Sequence, residues 1–305
     1  MSEMSKTKEK YLIFTINGGA GKNVLATAVA KAIKNKYPEH NLIVVTAYVD
    51  IWGYNPNVYR VYQFGNTPYF YESYIKDNEE NVEIFGLEPY STSDYILKRK
   101  HLIDIWCDLY GMKSNAFMPE MFFNHREVEF FVNNTLNNDK RPIMLIQTNG
   151  GMNQNMKVSW MRDMPLITAQ KVVEHFKKQY RIIHIRRKDQ PGLNGVDTFE
   201  GNLRDMAHLI RFSTKRLFID SVCQHIAAAL NKTSTVLWVR NSPQILGYSS
   251  HDNIITKVED EIKSTSGSFL EPYDISGNIY QCPFKENTEL FDAEEVIASI
   301  ERQTN

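Results

Sequence analysis

"LFIDSVCQHIAAALNKTSTVLWV", residues 217–239, joins an apolar run, an Asp-Ser corner, a helix-forming stretch and a second apolar run. The first run reads as a strand that delivers Asp220 and Ser221 at its carboxyl end. Ser221 then caps a helix whose first turn holds Val222, Cys223, Gln224 and His225. Open α/β sheets bind ligands at the carboxyl ends of their strands. The free amides of residues 222–224 are therefore placed to hold a diphosphate, with His225 in reach of a phosphate oxygen or a sugar hydroxyl.

The same alternation extends in both directions. Upstream, "IMLIQT" (143–148) is a buried-type strand ending in "NGG", "ITAQKVVEHFKKQY" is a helix and "RIIHIR" a strand. "TFEGNLRDMAHLIRFS" contains a helix and "RLFID" is a strand. This regularity predicts a doubly wound domain. "NNDKRP" (137–142) is polar, lacks periodicity, contains a proline and marks the best boundary. Before it, "YLIFTI" (11–16), a helix over 23–36 stopped near Pro38, and "NLIVVTAY" (41–48) form a strand–helix–strand unit of a parallel sheet. Residues 56–95 are tyrosine-rich and give no clear pattern. A helix is expected over 94–110 with Asp94 as its cap, another over 125–136, and "AEEVIASIERQ" reads as a terminal helix. The expected division is 1–140, 141–290 and a terminal helix in 291–305.

A glycine turn follows the first strand: "INGGAGKN", residues 16–23. A nucleotide-triphosphate loop, G-x-x-x-x-G-K-[ST], fails twice, because Ile16 stands at its first glycine and Asn23 at its hydroxyl. The dinucleotide pattern G-x-G-x-x-G fails at Val24. What remains is general: Gly18, Gly19 and Gly21 let the backbone turn sharply and approach a ligand, at a helix N-terminus with a positive dipole end. Asn17, Gly18, Gly19 and Gly21 are thus candidates for a loop facing a ligand.

Composition narrows the function. The chain has 305 residues, 42% apolar and 23% charged, which fits a globular protein of two ordinary domains. The net charge is -1, and residues 1–141 carry 16 Lys and Arg against 17 Asp and Glu. Neither half is a basic module, so strong non-specific nucleic-acid binding is not indicated. "LKRKH" (97–101) reads as a solvated face. No apolar run is long enough to span a bilayer, and "MSEMSKTKEK" precedes only six apolar residues, so stable membrane insertion and a signal peptide are not expected and a cytoplasmic protein is. Cys107, Cys223 and Cys282 are odd in number and far apart, which argues against a disulfide framework or a zinc knuckle.

"FIDSVCQHIAAALNKTSTVLW" resembles the D-[ST]-G-x-x-H-x-A-A-A-L-x-K segment of the heptosyltransferase-like glycosyltransferases (glycosyltransferase family 9 type), with Asp220, Ser221, His225, Ala227 to Leu230 and Lys232 in register. "FEGNLRDMAHLI" is similar to that family's G-x-x-x-L-x-x-x-x-x-L-I stretch at Leu203 and at Leu209-Ile210. The opening loop and helix resemble the family's at Gly21, Thr27 and Pro38, and "SPQILGYSSHDNI" resembles its tail.

The resemblance implies a GT-B fold: two Rossmann-like domains with parallel sheets facing across a cleft. The N-terminal domain would present the acceptor, and the C-terminal domain would bind a nucleotide-sugar. As is common in this fold, the terminal helix is expected to pack back on the first domain. It implies a metal-independent inverting transfer to a hydroxyl, with no cofactor beyond the donor substrate. The acceptor would be a saccharide or glycolipid core; a modified DNA base is the second acceptor class. Lys157, shortly before Trp160, matches a phosphate-contacting lysine of the family; Thr148, Asn149, Gly150, Arg186, Gln190 and Gln224 join Asp220, Ser221 and His225 as donor-site candidates.

Two departures bear on the chemistry. The family's general-base aspartate follows the first-loop glycine, and Lys22 stands there instead. A lysine is charged at neutral pH unless its proton affinity is strongly depressed. Lys22 itself, Asp50, Asp94 and Glu72 are the catalytic candidates. Val222 replaces the family's glycine. A sugar-nucleotide-binding protein without transfer activity, and a sugar-nucleotide epimerase, are the alternatives.

Overall fold

A computed structural model describes residues 8–136, 141–150, 160–260, 262, 282, 284–285 and 288–304 of the chain. These form two compact units. The first holds the described residues up to Pro89 and Leu102–Phe123; the second holds Tyr90–His101 and the described residues from Asn124 onward.

The first unit is built on β1 (Tyr11–Ile16), α1 (Ala20–Lys36), β2 (Asn41–Thr46), β3 (Arg60–Gln63) and β4 (Val82–Phe85). All four strands are parallel in the order β3-β2-β1-β4. β1 and β2 are apolar on both faces because helices and loops cover both, the pattern of a buried parallel strand. A short helix α2 (Phe70–Tyr74) leads towards β4. The tyrosine-rich stretch thus supplies both edge strands, which the sequence pattern did not reveal.

Between the sheets in sequence lie α3 (Ser93–Ile96), α4 (Leu102–Asp108) and α5 (His125–Phe131). The expected helix over 94–110 is two helices. Lys98 adopts a left-handed φ of 51°, and Arg99 and Lys100 turn back to pair with Asp94 at 3.5 and 3.1 Å. "LKRKH" therefore ends a helix rather than lining one. The cap is Thr92, whose hydroxyl accepts from the Tyr95 amide at 3.2 Å, and not Asp94. α5 ends in a π-helical turn, Val132–Leu136.

The second unit contains β5 (Ile143–Ile146), α6 (Leu166–Phe176), β6 (Arg181–Ile185), β7 (Asp197–Phe199), α7 (Leu203–Phe212), β8 (Lys215–Ile219), α8 (Val222–Ala229), β9 (Thr235–Trp238), α9 (Pro243–Leu246) and β10 (Asp252–Ile255). Its six parallel strands run β10-β9-β8-β5-β6-β7. In order of appearance this is 3-2-1-4-5-6 read from the β7 edge, the doubly wound dinucleotide-fold order. Met144, Ile146, Leu217, Ile219 and Leu237 from the strands pack with Val172, Val173 and Phe176 of α6 in one buried cluster.

Two boundaries differ from the sequence expectation. α5 lies on the second unit and not at the end of the first: Arg204 of α7 forms an ion pair with Glu127, and Phe131 stacks on His208 at 5.0 Å. The terminal helix, Ala293–Arg302, packs on α6, β8 and β9 of the second unit. Val296, Ile297 and Ile300 enter that unit's core. The Gln303 side chain then satisfies the Arg216 backbone, with Nε2 donating to the Arg216 carbonyl at 2.8 Å and Oε1 accepting from the Arg216 amide at 3.0 Å. Lys215 donates to the Glu301 and Gln303 carbonyls, both at 2.9 Å. These bonds fix the helix to the amino-terminal end of β8.

Ile300→Ala removes a fully buried side chain. It is expected to destabilise the second unit by about 2–5 kcal/mol. Urea unfolding followed by tryptophan fluorescence measures this; an unchanged midpoint would place the helix elsewhere.

Candidate functional site

β5 and β8 are neighbours in the sheet, with Ile146 opposite Leu217, but they are joined by crossovers to opposite flanks. Their following loops therefore diverge, and their carboxyl ends form the switch point at which open α/β sheets have their ligand crevice. Gln147–Gly150 and Asp220–Ser221 are the residues delivered there. The Ser221 hydroxyl donates to the Gln147 side-chain oxygen and accepts from the Cys223 amide at 3.4 Å, so one side chain both caps α8 and ties the two strand ends. Asp220 accepts from the Asn241 side chain. Burial pushes its carboxyl above the usual range, while Arg162 and Asn241 pull it back.

α8 starts at this corner and is buried along Cys223–Ala229. His225 Nδ1 bonds the Tyr248 hydroxyl at 2.9 Å. Burial, with His101 and His251 nearby, lowers its pKa to about 3, so its imidazole is neutral at pH 7. Gln224 donates to the Leu246 carbonyl at 3.0 Å, and His251 Nε2 meets the Gln224 carbonyl at 3.0 Å. The Gln224 side-chain oxygen is buried without a hydrogen-bond partner. Unsatisfied acceptors of this kind are rare and call for a donor.

The remaining donor-site candidates brace the crevice floor. The Thr148 hydroxyl donates to Asn149 Oδ1 and pairs with His184 Nε2, both at 2.8 Å. Asn149 Nδ2 and the Gly150 amide each donate to Asp163, at 3.0 and 2.9 Å. Gln190 donates to the Gly150 carbonyl at 2.9 Å, joining the β5 and β6 loops. Arg186 curls onto its own loop, donating to the Gln190 carbonyl at 2.6 Å. A Cβ on Gly150 would stand 2.4 Å from Arg162 Cδ, so glycine lets that arginine cross the loop. Lys157 lies outside the described residues.

In the first unit the glycine corner is more selective than its composition suggests. Gly18 takes φ +101°, which glycine alone adopts readily, and a Cβ there would also meet Lys22 Cδ at 3.1 Å. Gly19 is extended, serves as the α1 N-cap, and has open space where a Cβ would be. Gly21 is already helical, and Asn17 is exposed. Asn23 accepts from the Thr46 hydroxyl and donates to the Gly19 carbonyl at 3.2 Å, fastening α1 to β2.

Lys22 is buried, with its ammonium 2.6 Å from both Glu88 carboxylate oxygens and 5.0 Å from the Trp106 ring centroid. Burial lowers its proton affinity, and Glu88 opposes that shift. Asp50 is exposed in a 3₁₀ turn after β2, and Glu72 is exposed on α2. Asp94, paired with Lys100 and Arg99, belongs to the second unit and is held below the usual carboxylate range by them. Lys22, Asp50 and Glu72 belong to the first unit and Asp94 to the second.

No protein-family model and no curated protein matches the sequence. Solved structures do match. A family 9 glycosyl transferase from Veillonella parvula superposes with a TM-score of 0.66 at 12% identity, covering 96% of each chain. ADP-heptose LPS heptosyltransferase II of E. coli gives 0.58 at 12% identity, over 80% of this chain and 89% of that one. The heptosyltransferase TibC of enterotoxigenic E. coli, solved in complex with ADP-D-β-D-heptose, gives 0.59 at 14% identity, over 96% and 74%. The chain has the GT-B fold of two Rossmann-like units.

Within that fold, Asn149, Gly150, Gln190, Asp220, Ser221, Gln224 and His225 do gather at the loops and helix start around the β5/β8 crevice. Gln147, Asp163, Asn241 and Tyr248 bond to Ser221, to Asn149 and Gly150, to Asp220 and to His225 respectively. Gln147 directly follows a strand end and Tyr248 lies in the tail segment that resembles the family, whereas Asp163 and Asn241 carried no sequence signal. Among the described residues, no group of three or more His, Cys, Asp or Glu has metal-ligand geometry. Cys107 and Cys223 are buried free thiols, and Cys282 is exposed.

His184, His225 and His251 all have folded-state pKa values pushed below the ordinary 6.5 by burial, to about 4, 3 and 4. Their stabilisation is fully present above pH 6.5 and is lost as the pH falls through those values. Asp220, raised by burial, contributes in the opposite sense. The urea midpoint of the second unit should drop from pH 6.5 towards pH 4, and His251→Gln should flatten that slope. A midpoint independent of pH in both proteins would contradict the buried neutral imidazoles.

Proposed function

We propose that the chain is an inverting glycosyltransferase that moves a sugar from a nucleotide-diphosphate donor to a hydroxyl acceptor. The observation that carries this is the β5/β8 crevice, where the α8 amides and the Ser221 corner meet. An acceptor oxygen attacks the anomeric carbon, and the bond to the diphosphate breaks with its electron pair. Negative charge then grows on the departing phosphate, where a helix N-terminus is worth most. This supplies positive potential without requiring a metal, so turnover is expected to survive a chelator.

His225 is assigned to the donor. Its Nδ1 meets the Tyr248 hydroxyl at 2.9 Å and its Nε2 the Gln224 side-chain amide at 3.3 Å, and an anion beside the ring favours a second proton. Lys157 and Arg186 are assigned to the diphosphate and ribose side. An ADP-sugar donor is favoured by the ADP-heptose bound to the structurally similar TibC, and a saccharide or glycolipid acceptor by the resemblance. Binding without transfer is the second reading, favoured by Lys22 at the family's aspartate position.

A panel of ADP-, GDP-, UDP- and CMP-sugars, incubated with and without chelator, tests these assignments through release of free nucleotide. One donor should be turned over equally in both. His225→Ala should weaken its binding by about tenfold or more. Tight binding with neither hydrolysis nor transfer would leave the second reading standing. A DNA acceptor would show itself as activity that falls steeply with salt.

A further inference from the structure

Within the first unit, one turn holds two buried hydrogen-bond donors that have nothing to donate to. β2 ends at Thr46, and the chain passes through a 3₁₀ turn, Val49–Trp52, into Gly53, Tyr54 and Asn55. β1 and β2 are parallel, with Ile16 opposite Thr46, so this turn follows the same end of the sheet as the Gly18 corner. The Thr46 hydroxyl donates to Asn23 of α1 and accepts from the Tyr48 amide at 3.1 Å, and the 3₁₀ turn packs on α1 and β3. The Asn55 amide donates to the Trp52 carbonyl at 3.2 Å and closes a four-residue turn. Gly53 at φ -54°, ψ 130° and Tyr54 at φ 60° give it the type II form. That form favours glycine at its third residue; here glycine stands second and a tyrosine takes the left-handed place. Strain of this kind gathers at ligand clamps.

Trp52 is 2% exposed and Asn55 6%. Trp52 Nε1 and Asn55 Nδ2 are both buried without a hydrogen-bond partner. Asn55 Oδ1 accepts from the Asn57 amide at 2.9 Å, which fixes the end of the side chain that carries the N–H groups. A buried donor left empty costs free energy, and folded proteins nearly always fill it. The turn therefore calls for oxygen atoms from a bound molecule. Its charge narrows the kind. From Ala47 to Tyr59 the only charged residue is Asp50. Taking an anion out of water needs a countercharge, and this segment supplies none, so neutral oxygens are favoured over phosphate or carboxylate. Tyr48, Trp52, Tyr54 and Tyr59 interleave with Asn55 and Asn57. Aromatic rings beside amides suit a molecule with apolar faces and a hydroxyl edge, which is a saccharide.

We propose that the Trp52–Asn55 turn is a saccharide-binding site in which Trp52 Nε1 and Asn55 Nδ2 donate to oxygens of the sugar. Both N–H groups lie below the surface, so the sugar reaches them as the turn opens, and Tyr54, held at a costly φ, is the residue that relaxes when it does. That this saccharide is the acceptor rests on the transfer reading above; its binding does not.

The test uses the full chain with ¹⁵N in its four tryptophans, each of which gives one indole N–H signal. Trp52→Phe identifies the Trp52 signal by its loss. Methyl glycosides of glucose, galactose, mannose and N-acetylglucosamine are titrated in turn, with inorganic phosphate alongside. At least one glycoside should move the Trp52 signal saturably, and phosphate should not. Trp52→Phe, which keeps a ring and loses the N–H, and Asn55→Asp, which keeps the acceptor for the Asn57 amide and loses the donors, should each weaken that glycoside's binding by about 2–10-fold. Where a variant fails to fold, the titration of the parent protein decides. A Trp52 signal that no glycoside moves, as it would be if an internal water filled the site, overturns the proposal, and so does one that only phosphate moves. A glycoside that moves the signal but receives no sugar from any donor of the nucleotide-sugar panel overturns its reading as the acceptor and supports the site.

Discussion

Everything at the candidate site depends on two parallel strands that are neighbours in space and distant in sequence. β5 and β8 share a ladder, yet one is followed by a chain that crosses to the β6 side and the other by a chain that crosses to the β9 side. Right-handed crossovers leave no alternative once the order is set. The space between the diverging loops cannot be filled by either connection. Ser221 and Gln147 bridge it with a single hydrogen bond, and the amide end of α8 is left facing it.

Four titratable groups around this crevice are shifted towards their neutral forms. His184, His225 and His251 are buried as neutral rings, and Asp220 is shifted towards its neutral form. A buried ionised group without a partner would cost far more than the hydrogen bonds return. These four groups thus contribute dipoles rather than full charges to the site. The first unit solves a related problem differently. There one ammonium is buried against Trp106 and matched by a half-exposed carboxylate, a full ion pair rather than a set of dipoles.

The two units also differ in how they use glycine and proline signals. In the first, only Gly18 among the three glycines of the corner after β1 takes a left-handed φ. Gly19 and Gly21 looked equivalent in sequence and are not. In the second, Gly150 matters for what lies beside it, Arg162, and not for its own dihedral angles. A glycine count identifies a turn; it does not say which glycine the turn needs.

The sequence by itself determined the alternation of strands and helices, the Asp220-Ser221 corner and its helix, and therefore a parallel α/β fold. These are local facts: apolar runs of strand length, a hydroxyl cap and a helix-forming alanine tract act over a few residues. Only tertiary structure decided that Tyr90–His101 and α5 join the second unit, that the terminal helix packs there too, and that Glu88 meets Lys22. Each of these depends on contacts between segments roughly 65 or more residues apart, or on packing faces that several partners could satisfy. Periodicity shows that a helix has an apolar face, and the shape of the available surface chooses what covers it.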